Sequence, residues 1–283
     1  MPDLIPERQE LPPESDAPGT AFDPSRPNVA RLYDYLLGGK DNFVADRAAG
    51  DQIIAALPEV QVGVQAQRAV LGRVVRYLVG EAGIDQLLDI GSGLPTAENV
   101  HQIARRAATR TDTKVVYVDN DPVVLTYARA LLADSAGTFV EDGDLLQPSS
   151  ITGSPAIRSH LDWNRPIGLL LCGIAHYLLD EDRPAQLIAE LVDALPPGSY
   201  VFIHHLLDGA GPATEQLQGQ MLKALGRVKF RTLPEVRALF GGLQLVDPGL
   251  VTVTSWRPDP GTVVPAEHEA VLSMACAGVA RKA

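Results

Sequence analysis

Three aspartates stand at the ends of short apolar segments, where their carboxylates could act together on one ligand. Asp89 ends the first segment and precedes a glycine turn, Asp119 ends the second, and Asp144 follows the third. A carboxylate in such a place can accept the hydroxyl protons of a ribose, as we expect of Asp119, or a proton of a nucleobase amine, as we expect of Asp144. We therefore predict that the three carboxylates line one pocket shaped for a nucleoside.

The turn that follows Asp89 contains two glycines. Gly91 and Gly93 carry no Cβ, so the backbone can approach a ligand closely at both positions. The pattern predicts a helix after the turn, and the first N–H groups of such a helix would face an anionic group. Ligands of open α/β sheets bind at the carboxyl ends of the strands, where this turn would lie.

Each acid also has a purely structural interpretation. Asp89 could cap its own turn, Asp119 could be the N-cap of a helix that begins near Pro122, and Asp144 could be an ordinary loop acid. A single Gly-x-Gly pair is weak evidence by itself. The functional interpretation therefore depends on all three carboxylates meeting around one pocket.

Strands and helices alternate along most of the chain and would position these acids. Apolar runs predict seven strands, at residues 87–90, 114–118, 138–140, 167–172, 200–206, 244–253 and 273–279. Amphipathic segments predict helices at residues 96–109, 122–133, 183–195, 213–225 and 233–240. This alternation predicts an α/β domain over residues 86–283, with a doubly wound, mostly parallel seven-stranded sheet of Rossmann-like type.

The first third of the chain has a different character. Residues 28–85 carry three helical patterns and no strand pattern, which predicts an N-terminal helical cap or lid. Its helices are expected at residues 29–37, 45–56 and 64–79. Residues 1–27 hold 7 of the 22 prolines and six acids, so we expect a mobile acidic arm there, with folding over a neighbouring surface as the alternative.

Four polar side chains are candidates for catalysis. His176 and Tyr177 follow the fourth predicted strand, and the ordinary imidazole pKa of ~6.5 would suit His176 as a general base. Tyr33 and Asp34 lie on the first predicted helix, where a closing lid would bring them to a ligand. The alternatives are a histidine that only packs in the core and a helix that is simply solvated.

Composition excludes several classes of protein. The chain has 283 residues, with 24 Lys and Arg against 35 Asp and Glu, and its net charge of −11 argues against a nucleic-acid partner and against binding to an anionic membrane. No apolar run approaches the ~20 residues that span a bilayer. Two cysteines favour a reducing cytoplasm over a disulfide framework, and no spacing of ligating residues indicates a metal site.

The segment from Leu87 to Thr96 resembles the first motif of class I S-adenosylmethionine-dependent methyltransferases, which reads acid-x-Gly-x-Gly. The resemblance implies S-adenosyl-L-methionine as cofactor. It places Asp89, Gly91, Ser92 and Gly93 beside the methionine end of the cofactor. It further implies that Asp119 holds the ribose and that Asn120, Asp144 and Leu145 contact the adenine. Cys172 and Gly173 would border the methyl group.

Other segments narrow this resemblance to a family of actinobacterial S-adenosyl methyltransferases. The segments are residues 27–43, 93–96, 117–122 and 278–282, so the likeness spans nearly the whole chain. Pro95 stands where many methyltransferases have a third glycine, and it is this family's own variant. The resemblance specifies the cofactor but not the acceptor.

We therefore expect a methyltransferase that acts on a small molecule; the oligomeric state is left open. One alternative is a regulator that binds the cofactor without turnover. Another is a nicotinamide-dependent oxidoreductase, which the sequence disfavours. Thr96 replaces the third glycine of that motif, and Asp119 lies 26 residues after Gly93, beyond the usual spacing of ~20.

Overall fold

The computed structural model describes residues 23–95, 98–108, 112–132, 135–209 and 211–283. The arm expected over residues 1–27 therefore lies, up to residue 22, outside the described residues. Residues 96, 109 and 133, where two predicted helices begin or end, also lie outside them.

From residue 23 onward, three helices precede the first strand: α1 (Val29–Leu36), α2 (Val44–Ala56) and α3 (Val60–Arg76), the last continued by a π-helical turn over Tyr77–Glu81. The Asn28 side chain begins α1, because its Oδ1 accepts the N–H groups of Ala30 and Arg31 at 2.8 and 3.3 Å. The buried ion pair between Arg31 Nε and Asp46 Oδ2, at 2.8 Å, joins α1 to α2.

The sheet contains eight strands. They are β1 (Gln86–Ile90), β2 (Lys114–Asp119), β3 (Thr138–Asp142), β4 (Gly168–Cys172), β5 (Tyr200–Leu206), β6 (Gln244–Leu245), β7 (Val251–Thr252) and β8 (Ala275–Arg281). Their order is β3-β2-β1-β4-β5-β8-β6, and β7 also pairs with β8. Strands β1 to β5 are parallel and β8 is antiparallel, which confirms the predicted mostly parallel α/β sheet.

Eight more helices surround the sheet. They are α4 (Val100–Ala107), α5 (Pro122–Leu132), α6 (Pro148–Thr152), α7 (Pro155–His160), α8 (Pro184–Ala194), α9 (Pro212–Leu225), α10 (Leu233–Ala238) and α11 (Glu269–Leu272). The sequence did not predict α6, α7 and α11, because four to six residues are too few to show a helical period. Across the described part of the chain, no helix is long and apolar enough to cross a membrane.

One predicted strand is wrong in its extent. The run expected over residues 244–253 divides into β6 and β7, which gives eight strands in place of seven. Between them Pro248 has no N–H to donate to a neighbouring strand, and Gly249 has a φ of +92°. The Gly249 N–H instead closes a turn on the carbonyl of Val246, at 2.7 Å.

The strands alternate their side chains between two cores on the two faces of the sheet. Leu87 of β1 packs in the core that contains α1 to α3, whereas Leu88 and Ile90 pack in the core on the opposite face. Asp89, two residues from Leu87, therefore points toward the side of the N-terminal helices. The two-residue alternation of side chains along β1 therefore decides that this carboxylate faces the N-terminal helices.

Candidate active site

The carboxyl ends of β1, β2 and β3 meet at one cavity of about 300 Å³, which we call the glycine-turn cavity. The parallel register sets Ile90 beside Val118, so the segments that follow β1 and β2 leave the sheet together. Of the predicted cofactor-binding residues, nine line the cavity: Asp89, Gly91, Ser92, Gly93, Asp119, Asn120, Asp144, Leu145 and Cys172. The three aspartates thus share one cavity, as the sequence analysis required.

Both glycines of the turn adopt a left-handed backbone conformation, with φ of +68° at Gly91 and +67° at Gly93. The Gly91 N–H donates to the carbonyl of Val118 at 2.8 Å, which joins the turn to β2. A Cβ on Gly91 would lie 2.7 Å from the Ile174 side chain, whereas a Cβ on Gly93 would meet only Ala30, at 4.0 Å. Glycine at position 91 is therefore required by the backbone and by the packing alike.

Asp119 holds the rim of the cavity together. Its Oδ2 accepts the N–H of Gly93 at 2.9 Å and its Oδ1 accepts the N–H of Asp121 at 3.0 Å. The N-cap of α5 is Asp121, whose Oδ1 accepts the N–H groups of Val123 and Val124. The alternative that Asp119 serves as the helix cap is therefore wrong. Burial raises the pKa of the Asp119 carboxyl.

Asp89 is buried at the floor of the cavity. Burial raises the pKa of this carboxyl to about 7; the nearby Asp119 acts in the same direction, and Arg68 opposes them. At neutral pH the group therefore lies near its midpoint of titration. A cation placed beside it would favour the ionised form and lower this pKa.

The loop after β3 forms another wall. Asp144 is half-buried, and its Oδ1 accepts the N–H of Leu146 at 2.9 Å. Leu145 is buried and presents an apolar surface, whereas Asn120 is exposed at the rim. Gly143 has no room for a side chain, because a Cβ would lie 2.7 Å from Val118. The wall combines an apolar surface with carboxylate and amide oxygens.

The N-terminal helices contribute residues that the sequence analysis missed. Asn28, Gln67 and Arg68 line the cavity from α1 and α3. The Asn28 amide donates to the carboxylate of Asp121, which links the start of α1 to the loop after β2. The sequence did not single out Gln67 and Arg68, because glutamines and arginines recur along α3 and do not by themselves distinguish a site from a solvated face.

The end of β4 is closely packed. Cys172 lines the cavity, the Gln67 side chain hydrogen-bonds to its sulfur, and burial raises the pKa of the thiol to about 12. Gly173 is not a lining residue. It has a φ of +74°, and a Cβ there would lie 2.2 Å from the Gln67 amide nitrogen. Glycine at this position makes room for Gln67.

A second, smaller cavity of about 80 Å³ adjoins the first, and we call it the apolar chamber. It lies among α1, α2, α3, β5, α9 and α11, with walls that include Leu36, Ile53, Leu217, Met221, Val271 and Met274. Tyr33, Gln67 and Tyr177 line both cavities. Three of the four predicted catalytic residues, Tyr33, His176 and Tyr177, line the chamber.

The environment of His176 corrects the expectation of a general base with an ordinary pKa. Its side chain is only 3% exposed, and burial together with the neighbouring His205 and His204 lowers its pKa well below the usual value. A neutral imidazole of such low basicity suits hydrogen bonding better than proton abstraction. Burial likewise raises the pKa of Tyr33 and of Tyr177, so both remain neutral phenols.

Asp34 lies outside both cavities. Its Oδ2 accepts the N–H of Asp41 at 2.9 Å and the Asn42 amide at 2.8 Å. The side chain therefore satisfies the polar groups of the turn that follows α1. This position does not support the catalytic role that we expected of Asp34.

The chain was compared with known proteins. The model of the S-adenosyl methyltransferase family matches residues 15–283. A crystal structure from Thermobifida fusca, provisionally described as a methyltransferase, shares 42% identity and a TM-score of 0.87, covering 95% of this chain and 99% of that one. A DUF574 family protein from Streptomyces avermitilis shares 38% identity and a TM-score of 0.86, covering 92% and 99%.

A more distant O-methyltransferase family protein from Burkholderia thailandensis shares 13% identity and a TM-score of 0.52, covering 80% of this chain and 58% of that one, which shows a common fold alone. No curated protein matches the chain. The family match spans nearly all of the sequence, and the two nearer structures are covered almost entirely. The chain therefore belongs to the S-adenosyl methyltransferase family, whose cofactor is S-adenosylmethionine.

Proposed function

We propose that this chain transfers a methyl group from S-adenosylmethionine to a small-molecule acceptor, with the cofactor in the glycine-turn cavity. The observation that carries the proposal is the meeting of Asp89, Asp119 and Asp144 around one cavity beside two glycines of positive φ. Its volume of about 300 Å³ lies within the usual range for small-molecule sites.

The chemistry of the lining residues fits the proposed cofactor. A carboxylate can only accept hydrogen bonds, and both the ribose hydroxyls and the adenine amine donate them. Asp119 would hold the ribose. Asp144 and Asn120 would face the polar edge of the adenine, and the buried Leu145 would contact its ring. Asp89 would lie toward the cationic methionine end, beside Gly91, Ser92 and Gly93.

Bound S-adenosylmethionine would supply a methyl carbon on a cationic sulfur. A lone pair of the acceptor would take the methyl, the carbon–sulfur electron pair would stay on sulfur, and the proton that the acceptor loses would pass to water. The protein has to orient the acceptor and exclude water. Cys172 and Gly173, at the end of β4, would border this point. The neutral side chains of Tyr33, His176 and Tyr177 would orient the acceptor by hydrogen bonds rather than abstract its proton.

The N-terminal helices support the same arrangement. We propose that residues 28–85 form a cap over the sheet domain of residues 86–283. The hydrogen bond from Asn28 to Asp121 joins this cap to the rim of the cavity, and Gln67 reaches Cys172 from the same side. An enclosed site of this kind favours a small acceptor over a polymer.

Calorimetric titration with S-adenosylhomocysteine tests the proposal. The native chain should bind it, and Asp119→Ala should weaken binding about 100-fold, because a charge-assisted hydrogen bond to the ribose is lost. Asp193→Ala, at an exposed position on α8, is the matched control and should leave the affinity unchanged. Equal losses in both variants, or no binding by the native chain, would overturn the proposal.

A further inference from the structure

We propose that the apolar chamber holds the methyl acceptor, and that this acceptor is a compact, uncharged, largely apolar molecule with one hydroxyl or other hydrogen-bonding nucleophile. This inference rests on the proposed methyl transfer and specifies its substrate class. Four observations carry it: the position of the chamber, the character of its walls, the polar atoms in it that lack partners, and its size.

The position of the chamber places its contents beside the cofactor. Val29, Tyr33, Gln67 and Tyr177 line both cavities, so the two cavities adjoin at these four residues. Gln67 also contacts Cys172, at the strand end that would border the methyl group. A nucleophile at this end of the chamber would therefore face the cofactor directly, as the transfer of a methyl group requires.

The walls exclude a charged acceptor. No Asp, Glu, Lys or Arg is among the residues that line the chamber, as far as the structure describes them. Burying an unpaired charge in such surroundings is costly, so an acceptor with a carboxylate or ammonium inside the chamber would be rejected. The neutral state of His176 and His204 adds no charge to these walls, because burial lowers both pKa values, that of His204 to about 3.

Three lining residues hold buried polar atoms without a hydrogen-bond partner in the described structure. The atoms are Tyr33 Oη, His176 Nδ1 and His204 Nδ1. The His176 and His204 rings lie 6.5 Å apart, centroid to centroid. Buried polar groups of folded proteins are nearly always paired, so a cluster of unpaired ones beside a cavity calls for a ligand. One hydroxyl group, which both donates and accepts, could serve two of them.

The size of the chamber limits the acceptor to about one ring. An apolar cavity of about 150 Å³ admits benzene, and this chamber measures about 80 Å³. Met221 and Met274 are part of its wall, and their unbranched side chains can move to admit a slightly larger molecule. A planar ring with one polar substituent is therefore the largest molecule that the chamber could take, and only once these two methionine side chains have moved.

Methionine methyl NMR with phenol as the probe tests this inference. The full chain contains three methionines, and two of them, Met221 and Met274, line the chamber. With ¹³C-methyl methionine, the signals can be assigned from Met221→Leu and Met274→Leu. Phenol should shift both signals in a saturable manner. Benzoate, which has the same ring and a negative charge, should shift neither.

Two matched glycine substitutions on α3 locate the binding. Gly63 lines the chamber, and its Cβ would make ordinary contact with Val271 at 3.5 Å. Gly72 lies on the same helix away from the chamber, and its Cβ would contact Ile103 at 3.7 Å. Gly63→Ala should weaken phenol binding about fivefold or more, because the added methyl fills part of a small space. Gly72→Ala should leave it unchanged.

The outcomes separate the inference from the proposed function. If S-adenosylhomocysteine binds but phenol shifts neither signal, or if both glycine variants weaken phenol binding equally, the acceptor chamber is overturned and the cofactor site stands. If phenol binds as expected but S-adenosylhomocysteine does not, the proposed methyl transfer fails, and the acceptor role with it. Saturable shifts with both ligands present, lost selectively in Gly63→Ala, support both.

Discussion

In the glycine-turn cavity Asp119 and Asp144 accept hydrogen bonds from backbone N–H groups, whereas three polar atoms of the apolar chamber have no partner among the described residues. The first cavity is held in shape by Asp119 and Asp144 before any ligand enters. The chamber is shaped by apolar packing, and its polar atoms remain available. The difference fits the two proposed roles, a preorganised site for the cofactor and a site whose hydrogen bonding the acceptor would complete.

The largest expected effect is at the glycine turn. Gly91→Ala and Gly93→Ala impose the same backbone strain, because both residues have φ near +67°, but only the Cβ at position 91 meets Ile174. We expect losses in the free energy of unfolding of about 3 kcal/mol for Gly91→Ala and about 1 kcal/mol for Gly93→Ala. Urea denaturation of both variants measures the difference.

Shortening the side chain that the new Cβ meets provides the control. Ile174→Ala combined with Gly91→Ala should recover part of the lost stability, since the Cγ1 and Cδ1 atoms nearest to the new methyl are removed. Equal stability of the two single alanine variants would show that packing against Ile174 plays no part.

The next effect concerns the histidines of the chamber. The pKa of His204 is lowered to about 3, far below the value of ~6.5 in an unfolded chain. Its contribution to stability is therefore complete above pH 6.5 and is lost as the pH falls from 6.5 toward 3. At pH 5 the loss should be about 2 kcal/mol, and the lowered pKa of His176 acts in the same direction.

Urea denaturation from pH 7.5 to pH 4.5 measures this loss, with His204→Gln as the comparison. The variant should lose less stability than the native chain over the same pH range, whatever its stability at pH 7.5. An identical pH dependence in the two proteins would rule out a buried, neutral His204.

A smaller effect separates two buried tyrosines. Tyr33 Oη has no partner in the described structure, whereas Tyr117 Oη accepts the N–H of His101 at 2.9 Å. Tyr33→Phe removes an unpaired polar group and should raise the free energy of unfolding by about 1 kcal/mol, and Tyr117→Phe should lower it by a similar amount. Thermal denaturation gives both signs, and a loss of stability in Tyr33→Phe would show that its hydroxyl is already paired.

The last prediction concerns a fractional release of protons at Asp89, beside the glycine turn. The pKa of its carboxyl is raised to about 7 by burial, so its contribution to stability is present below pH 3.8 and is lost as the pH rises through 7. This is the opposite direction to that of the chamber histidines. A cationic ligand should lower this pKa, and binding of S-adenosylmethionine at pH 7 should then release up to about half a proton.

Calorimetry in buffers of different ionisation enthalpy measures the proton release. Asp89→Asn should remove the proton release that the native chain shows. The loss of stability at acid pH that comes from His204 should remain in this variant. Equal proton release by the variant and the native chain would mean that the cation does not lie near Asp89.

The lining of the glycine-turn cavity could be predicted from the sequence because its determinants are local. The acid-x-Gly-x-Gly turn, the alternating strands and Asp119 each lie within one strand-turn segment, where spacing alone carries the information. The strand predicted over residues 244–253 was too long, because a single Pro-Gly step interrupts an otherwise apolar run.

The chamber could not be predicted in the same way. Its walls come from helices and strands that are distant in the sequence, so only the fold brings Gln67 to Cys172 or His176 to His204. The lowered pKa of His176 also depends on its burial in the fold. The sequence alone therefore predicts only an imidazole of ordinary pKa. Asp34 has a side chain that could act in catalysis, but its carboxylate instead accepts hydrogen bonds from the turn that follows α1.

A crystal structure of the chain with S-adenosylhomocysteine tests the central claim most directly. The account predicts the ribose hydroxyls on the Asp119 carboxylate and the sulfur beside Tyr33, Gln67 and Tyr177, where the two cavities adjoin. The methionine ammonium should lie toward Asp89. A cofactor bound elsewhere, or a sulfur that faces away from the apolar chamber, would contradict the assignment of the two cavities.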